Sequence, residues 1–227
     1  MLNKKHEYVV HYADPLPDNK GDWNGPVWEK IPHLELTYFR PEGSGHRPTT
    51  RAKLIYDSKS LYCIFQVQDQ YVSCVHSSFR SPVCQDSCVE FFVQPKPDCG
   101  YFNFEFNCGG TLLASYVTDP TRVGTGLKKY SDLTLNDIEP IDIFHSLPQR
   151  VSPEIQQKIT WYLAFSIPFA LFEKYTGLLP RIHGSQWKAN FYKCGDRTSH
   201  PHWASWSPVK ELNFHLPDCF GNIYFKP

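Results

Sequence analysis

A chain of 227 residues with 23 basic and 23 acidic side chains has no net charge with which to attract a polyanion, and nucleic-acid binding depends on that attraction. No stretch approaches the ~20 apolar residues of a membrane helix, and Met1-Leu2-Asn3-Lys4-Lys5-His6 is not followed by the apolar segment of a secretory leader. Nucleic acid and membrane are therefore not expected as partners. The chain as given reads as cytoplasmic, or as extracytoplasmic if a leader has been trimmed from it.

Aromatic residues make up 15% of the chain, alongside 19 Pro and a single Met, a mixture that favours strands and turns. The length suits one all-β domain spanning residues 1–227. Period-two alternation marks strands at 51–56, 61–68, 88–94, 101–107, 111–117, 159–167, 187–193 and 221–225. Residues 118–153 are weakly patterned and read as long loops with one further strand near 141–144. Pro168 opens a short helix that Gly177 closes. The expected fold is an antiparallel β-sandwich of two sheets, immunoglobulin- or jelly-roll-like, with one short helix. The eight cysteines contain no Cys-x-x-Cys pair, so mostly free, partly buried thiols are expected, with one or two disulfides or a metal site as the alternatives.

The hairpin at 88–107 is the most informative segment. Val89, Phe91 and Val93 alternate with Glu90 and Phe92, while Phe102, Phe104 and Phe106 alternate with Asn103, Glu105 and Asn107. Pairing the apolar faces in the core places Glu90 opposite or diagonal to Glu105, with Asn103 and Asn107 beside them. Like charges facing across a sheet are unfavourable, so a cation, a basic side chain or a hydroxyl-rich ligand should compensate; the alternative is two solvated carboxylates on an exposed face. Arg51 and Arg80 are the candidate basic side chains. The segment Ser199-His200-Pro201-His202-Trp203-Ala204-Ser205-Trp206 places two indoles in a turn-rich loop, a surface on which a flat ligand could stack. Trp206 reads alternatively as a plug of the core, and Trp28, Trp161 and Trp187 read as core. In the strand at 187–193, Asn190 is the candidate ligand-facing group.

Several blocks in order resemble the family 9-like carbohydrate-binding modules, a branch of the DOMON-like β-sandwiches. They are Gly25-Pro26-Val27-Trp28, Ala52-Lys53-Leu54-Ile55-Tyr56-Asp57, Gln85-Asp86-Ser87-Cys88-Val89-Glu90-Phe91-Phe92, Tyr101-Phe102-Asn103-Phe104-Glu105-Phe106-Asn107, Trp161-Tyr162-Leu163-Ala164-Phe165-Ser166-Ile167-Pro168 and Trp187-Lys188-Ala189-Asn190-Phe191-Tyr192. The resemblance implies a sandwich that binds a saccharide without cleaving it, in company with a glycoside hydrolase. It implies two tryptophans that sandwich a terminal sugar, with Glu90 among the polar side chains that bind its hydroxyls. Where the first of those tryptophans is expected, this chain has Val83-Cys84-Gln85; Trp203 or Trp206 would supply the second. The resemblance also implies structural calcium, for which Asp57, Asp69 and Asp86 offer turn carboxylates. The expected ligand-binding set is Glu90, Glu105, Asn107, Asn190, Trp203, Trp206, Arg51 and Arg80. Two other readings stand beside it: a sugar-blind interaction domain, suggested by Cys84, and a glycosidase using the paired carboxylates.

Overall fold

The computed structural model describes residues 6–17 and 21–226. Its strands are β1 (Glu7–Tyr12), β2 (Leu34–Glu35), β3 (Tyr38–Phe39), β4 (Thr49–Tyr56), β5 (Ser60–Asp69), β6 (Val72–Cys74), β7 (Cys88–Gln94), β8 (Tyr101–Asn107), β9 (Leu112–Val123), β10 (Gly126–Asp132), β11 (Asp142–His145), β12 (Val151–Ile155), β13 (Ile159–Pro168), β14 (Gln186–Cys194), β15 (Trp203–Ser205) and β16 (Gly221–Lys226). Two short helices, α1 (Leu135–Ile138) and α2 (Phe169–Thr176), accompany them.

The main sheet runs β10-β9-β8-β7-β14-β16-β1-β4-β5-β13-β11, and β6 with β12 forms a small second one. The main sheet supplies both layers of the sandwich. Phe91, Phe104, Phe106 and Phe191 point inward from the β8-β7-β14 half and meet Phe65 and Phe165 from the β5-β13 half. Phe106 stacks on Phe165 at 4.5 Å between ring centroids, and Phe65 lies 6.2 Å from Phe191. All six rings are fully buried, each contributing about 1.5–3 kcal/mol of transfer free energy. The inward face that alternation assigned to the hairpin is therefore the core, and the register follows from it: Val89 pairs with Phe106, Glu90 with Glu105 and Phe91 with Phe104.

The sandwich expected from the sequence is observed, with two corrections. It is not built from antiparallel pairs alone, because β1 runs parallel to both β16 and β4 and joins the layers; this strand buries Tyr8 and Val10 and was not read from the sequence. Nor is 118–153 mainly loop. β9 continues to Val123 and pairs with β10, but this ribbon leaves the core. Its residues are largely exposed, so no buried face imposes alternation on them. Gly124, at φ +60, makes the turn between the two strands.

The helix opened by Pro168 is α2, and Gly177 follows it at φ +72. It inserts Phe172 between Phe102, at 5.2 Å, and Trp187, at 5.3 Å. The additional helix α1 is one turn long. The Thr134 amide donates to the Asp137 carboxylate at 2.8 Å, and Tyr175 of α2 donates to the same group at 2.9 Å, so a capping box and a tertiary contact hold the turn. All eight cysteines are free.

Candidate functional site

The outward face of the same hairpin is not solvated. Glu90 and Glu105 are 2% and 8% exposed and floor a cavity of about 410 Å³ that also borders Phe92. Its walls come from segments distant in sequence. Arg122 and Thr125 reach it from the β9–β10 ribbon, Leu212 to His215 from the loop before β16, and Cys84, Cys194, Asp196 and Trp203 from the opposite side.

Backbone hydrogen bonds fix these walls. Asp196 N donates to Cys84 O at 3.0 Å and Arg197 N to Gln85 O at 3.0 Å, tying the turn after β14 to the helical turn Val83–Gln85. β15 pairs Trp203 with Cys194, and the half-buried indole donates to Asp196 Oδ1 at 2.7 Å. Phe214 stacks on Tyr192 at 4.0 Å with its carbonyl accepting from the Tyr192 hydroxyl at 3.0 Å. His215 Nδ1 meets the Tyr101 hydroxyl at 2.7 Å, and Arg122 holds Asn213 Oδ1 at 3.2 Å.

The charge distribution is lopsided. Three carboxylates, Glu90, Glu105 and Asp196, border the cavity with one cation, Arg122. Among the described residues neither glutamate takes part in an ion pair. Burial, followed by the facing Glu105, drives the Glu90 carboxyl well above the usual range. Burial also raises Glu105 to about 7, although Asn103 donates to its Oε1 at 2.8 Å, and it raises Asp196. At neutral pH the floor therefore retains protons, so it presents O–H donors as well as acceptors.

Over residues 27–225 the chain matches the sequence profile of the carbohydrate-binding family 9. It belongs to carbohydrate-binding family 9. A solved structure of a candidate carbohydrate-binding protein from Bacteroides uniformis is similar at 26% identity and a TM-score of 0.85, covering 98% of this chain and 100% of that one. The family 9 module of Caldicellulosiruptor kristjanssonii, solved with cellotriose, shares the fold at 15% identity and a TM-score of 0.60, with coverage of 97% and 94%. The same module with glucose gives 16%, 0.59, and coverage of 97% and 96%. No curated protein sequence matches the chain.

Of the expected ligand-binding set, the family 9 fold gathers Glu90, Glu105 and Trp203 at the cavity. The others lie outside it. Asn107 is fully buried, donating to His76 O at 2.7 Å and Asp86 Oδ2 at 2.9 Å while its own oxygen accepts from the Thr111 amide at 2.9 Å. Asn190 bonds both backbone groups of Ser207 at 2.9 Å. Trp206 packs on Phe191 at 5.7 Å and against Gly221, where a Cβ would sit 2.6 Å from its ring. Arg51 pairs with Glu35 at 2.9 Å, and Arg80 lies 3.8 Å from Asp132 and over the Phe79 ring. Sequence reasoning missed Arg122, Asp196, Phe214 and His215.

The turn carboxylates that family resemblance offers for calcium are each held by groups of the protein. Asp57 accepts from the amides of Lys59 and Ser60, and Asp86 from those of Val75 and His76. Asp69 is enclosed by His46 Nε2 at 2.8 Å, the Trp161 indole at 3.2 Å and Lys193 Nζ at 3.4 Å. His202 joins this cluster, its Nε2 lying 2.8 Å from Lys193 Nζ. An ammonium thus supplies the positive charge there. A second hollow of about 470 Å³ opens beside His46 and Asp69, but among the described residues no Trp, Tyr or Phe lines it.

Proposed function

We propose that the cavity over β7 and β8 binds a neutral saccharide without cleaving it. The observation that carries this reading is the opposed, buried Glu90–Glu105 pair beneath a cavity walled by Trp203 and Phe214. A pyranose needs an apolar ring face to cover its C–H surface and a planar set of donors and acceptors for its hydroxyls. Trp203 supplies the first, and Glu90, Glu105, Asp196 and Arg122 supply the second. A volume of about 410 Å³ lies toward the small end of ligand pockets, which span roughly 300–1,000 Å³, and favours one or two sugar rings. The burial that keeps protons on the Glu90 and Glu105 carboxyl groups disfavours the ionised carboxylate of an acidic sugar for the same reason. Family 9 membership supports binding in place of hydrolysis, and action beside a glycoside hydrolase is consistent with it.

A calorimetric screen of mono- and oligosaccharides, with released sugar assayed in the same mixtures, tests the reading. Saturable binding without turnover is expected; turnover would make the carboxylate pair catalytic, and binding to no saccharide would leave an interaction domain. Once a ligand is found, Trp203→Ala should weaken it about tenfold or more, the equivalent of about 1.4 kcal/mol. Unchanged affinity in both Trp203→Ala and Glu90→Gln would place the site elsewhere.

A further inference from the structure

We propose that Cys88, Glu90 and Cys194 form a site for a thiophilic divalent cation such as zinc or cadmium at the floor of the cavity. Cys88 and Cys194 are direct partners in the β7–β14 register. Glu90 lies two residues beyond Cys88 on β7, so alternation turns it to the same side of the sheet. The three ligand atoms all lie within 4.8 Å of one another, with Cys194 Sγ 3.1 Å from Glu90 Oε1. Tetrahedral coordination with zinc–sulfur bonds of about 2.3 Å and zinc–oxygen bonds of about 2.0–2.2 Å sets ligand atoms roughly 3.3–3.8 Å apart, within about 1.5 Å of the separations here.

All three side chains are buried, yet Glu90 and Cys194 border the cavity, which gives a cation an entry path. Cys84 borders the same opening, its carbonyl 3.6 Å from Cys194 Sγ, and the cavity side is left for a fourth ligand. The positive charge would also answer the opposed glutamates, which no ion pair offsets among the described residues. By contrast, His46, Asp69 and His202 converge just as closely but already enclose Lys193 Nζ. Binding forms two sulfur–metal bonds and one Glu90 oxygen–metal bond, and releases to solvent the two thiol protons and the proton that the buried Glu90 carboxyl holds, with no change of oxidation state. Two thiols and a carboxylate are the donors that suit zinc and cadmium rather than calcium.

Reduced, chelator-treated protein should be titrated with cadmium while its thiolate-to-metal charge-transfer absorbance is followed. The band should saturate at a single equivalent and be displaced by zinc. Cys88→Ser and Cys194→Ser should each diminish it, and Glu90→Gln should retain it with affinity roughly tenfold weaker or more. Cys74→Ser is the control, because the Cys74 thiol hydrogen-bonds to that of Cys108 and forms a separate pair. Far-ultraviolet circular dichroism of each metal-free variant reports its fold. If a serine variant does not fold, Glu90→Gln, which keeps the shape of the side chain, decides the matter. The proposal fails if stoichiometric cadmium gives no band, if Glu90→Gln binds as tightly as the parent, or if the band survives Cys194→Ser and disappears in Cys74→Ser. These readouts use no saccharide, so they stand or fall apart from the sugar-binding reading.

Discussion

Lys193→Met should destabilise the protein by about 3–5 kcal/mol at pH 8, since removing one partner of a buried ion pair leaves the other charge unpaired. Both the Lys193 and Asp69 side chains are 0% exposed, with 3.4 Å between Nζ and Oδ2. Lys193 also donates to Cys194 O at 3.0 Å. The deficit should shrink on acidification. Burial and then the Lys193 charge hold His202 down to about 3; without the ammonium the second of these causes is gone while Asp69 still favours the imidazolium, so the proton affinity of His202 rises. A histidine whose proton affinity rises in the folded state adds stability at low pH and loses it as pH increases. Chemical denaturation at pH 5.5 and pH 8 measures both effects. Lys193→Met combined with Asp69→Asn should recover much of the loss; equal instability of the single and double variants would mean that packing, not charge pairing, is at stake.

Glu105→Gln should stabilise the protein at pH 8 by on the order of 3 kcal/mol, because a tenfold difference in proton affinity between folded and unfolded chain corresponds to about 1.4 kcal/mol, and should have little effect near pH 4.5. Burial raises the folded-state value of Glu105 from 4.5 to about 7. Between those values the folded state holds more protons than the unfolded one, so stability present at low pH is lost as pH rises toward 7. Glutamine mimics the protonated side chain and removes that loss, together with the charge facing Glu90. The wild-type profile alone would conceal the effect. His202 and His215, both lowered from 6.5 to about 3 chiefly by burial, gain stability with rising pH over much of the same interval. The difference between variant and parent isolates the carboxylates. A difference that does not vary with pH would show that folding leaves the proton affinity of Glu105 unchanged.

The paired glutamates were legible in sequence because one strong constraint, three phenylalanines against a Val-Phe-Val face, fixes the register and carries the polar residues with it. That same alternation put Asn107 and Asn190 on the outward side, as observed, but it does not distinguish a side chain that meets a ligand from one that pins a loop. Asn190 serves the latter use because the backbone of Ser207 lies against it. Trp203 and Trp206 looked alike in a shared loop; pairing of β15 with β14 turns one toward the cavity and leaves the other in the core. Asp196 had no local signal, since it is brought to the site by tertiary contacts. A cue for Arg122 did exist in the Gly124 turn, which could have marked a hairpin where loops were read.

The strand that joins the two layers has a consequence for how the chain reaches its native state. β1 and β16 come from opposite ends of the described chain, and their pairing aligns Glu7 with Asn222. Until β16 is available, the edge of β14 that it covers and the β1 edge facing it have no partner. Closure must therefore wait until β16 has been synthesised, and the sequence distance it spans predicts slow folding. During that interval the β14 edge remains open to pairing with another chain, a route to aggregation that the docking of β16 closes.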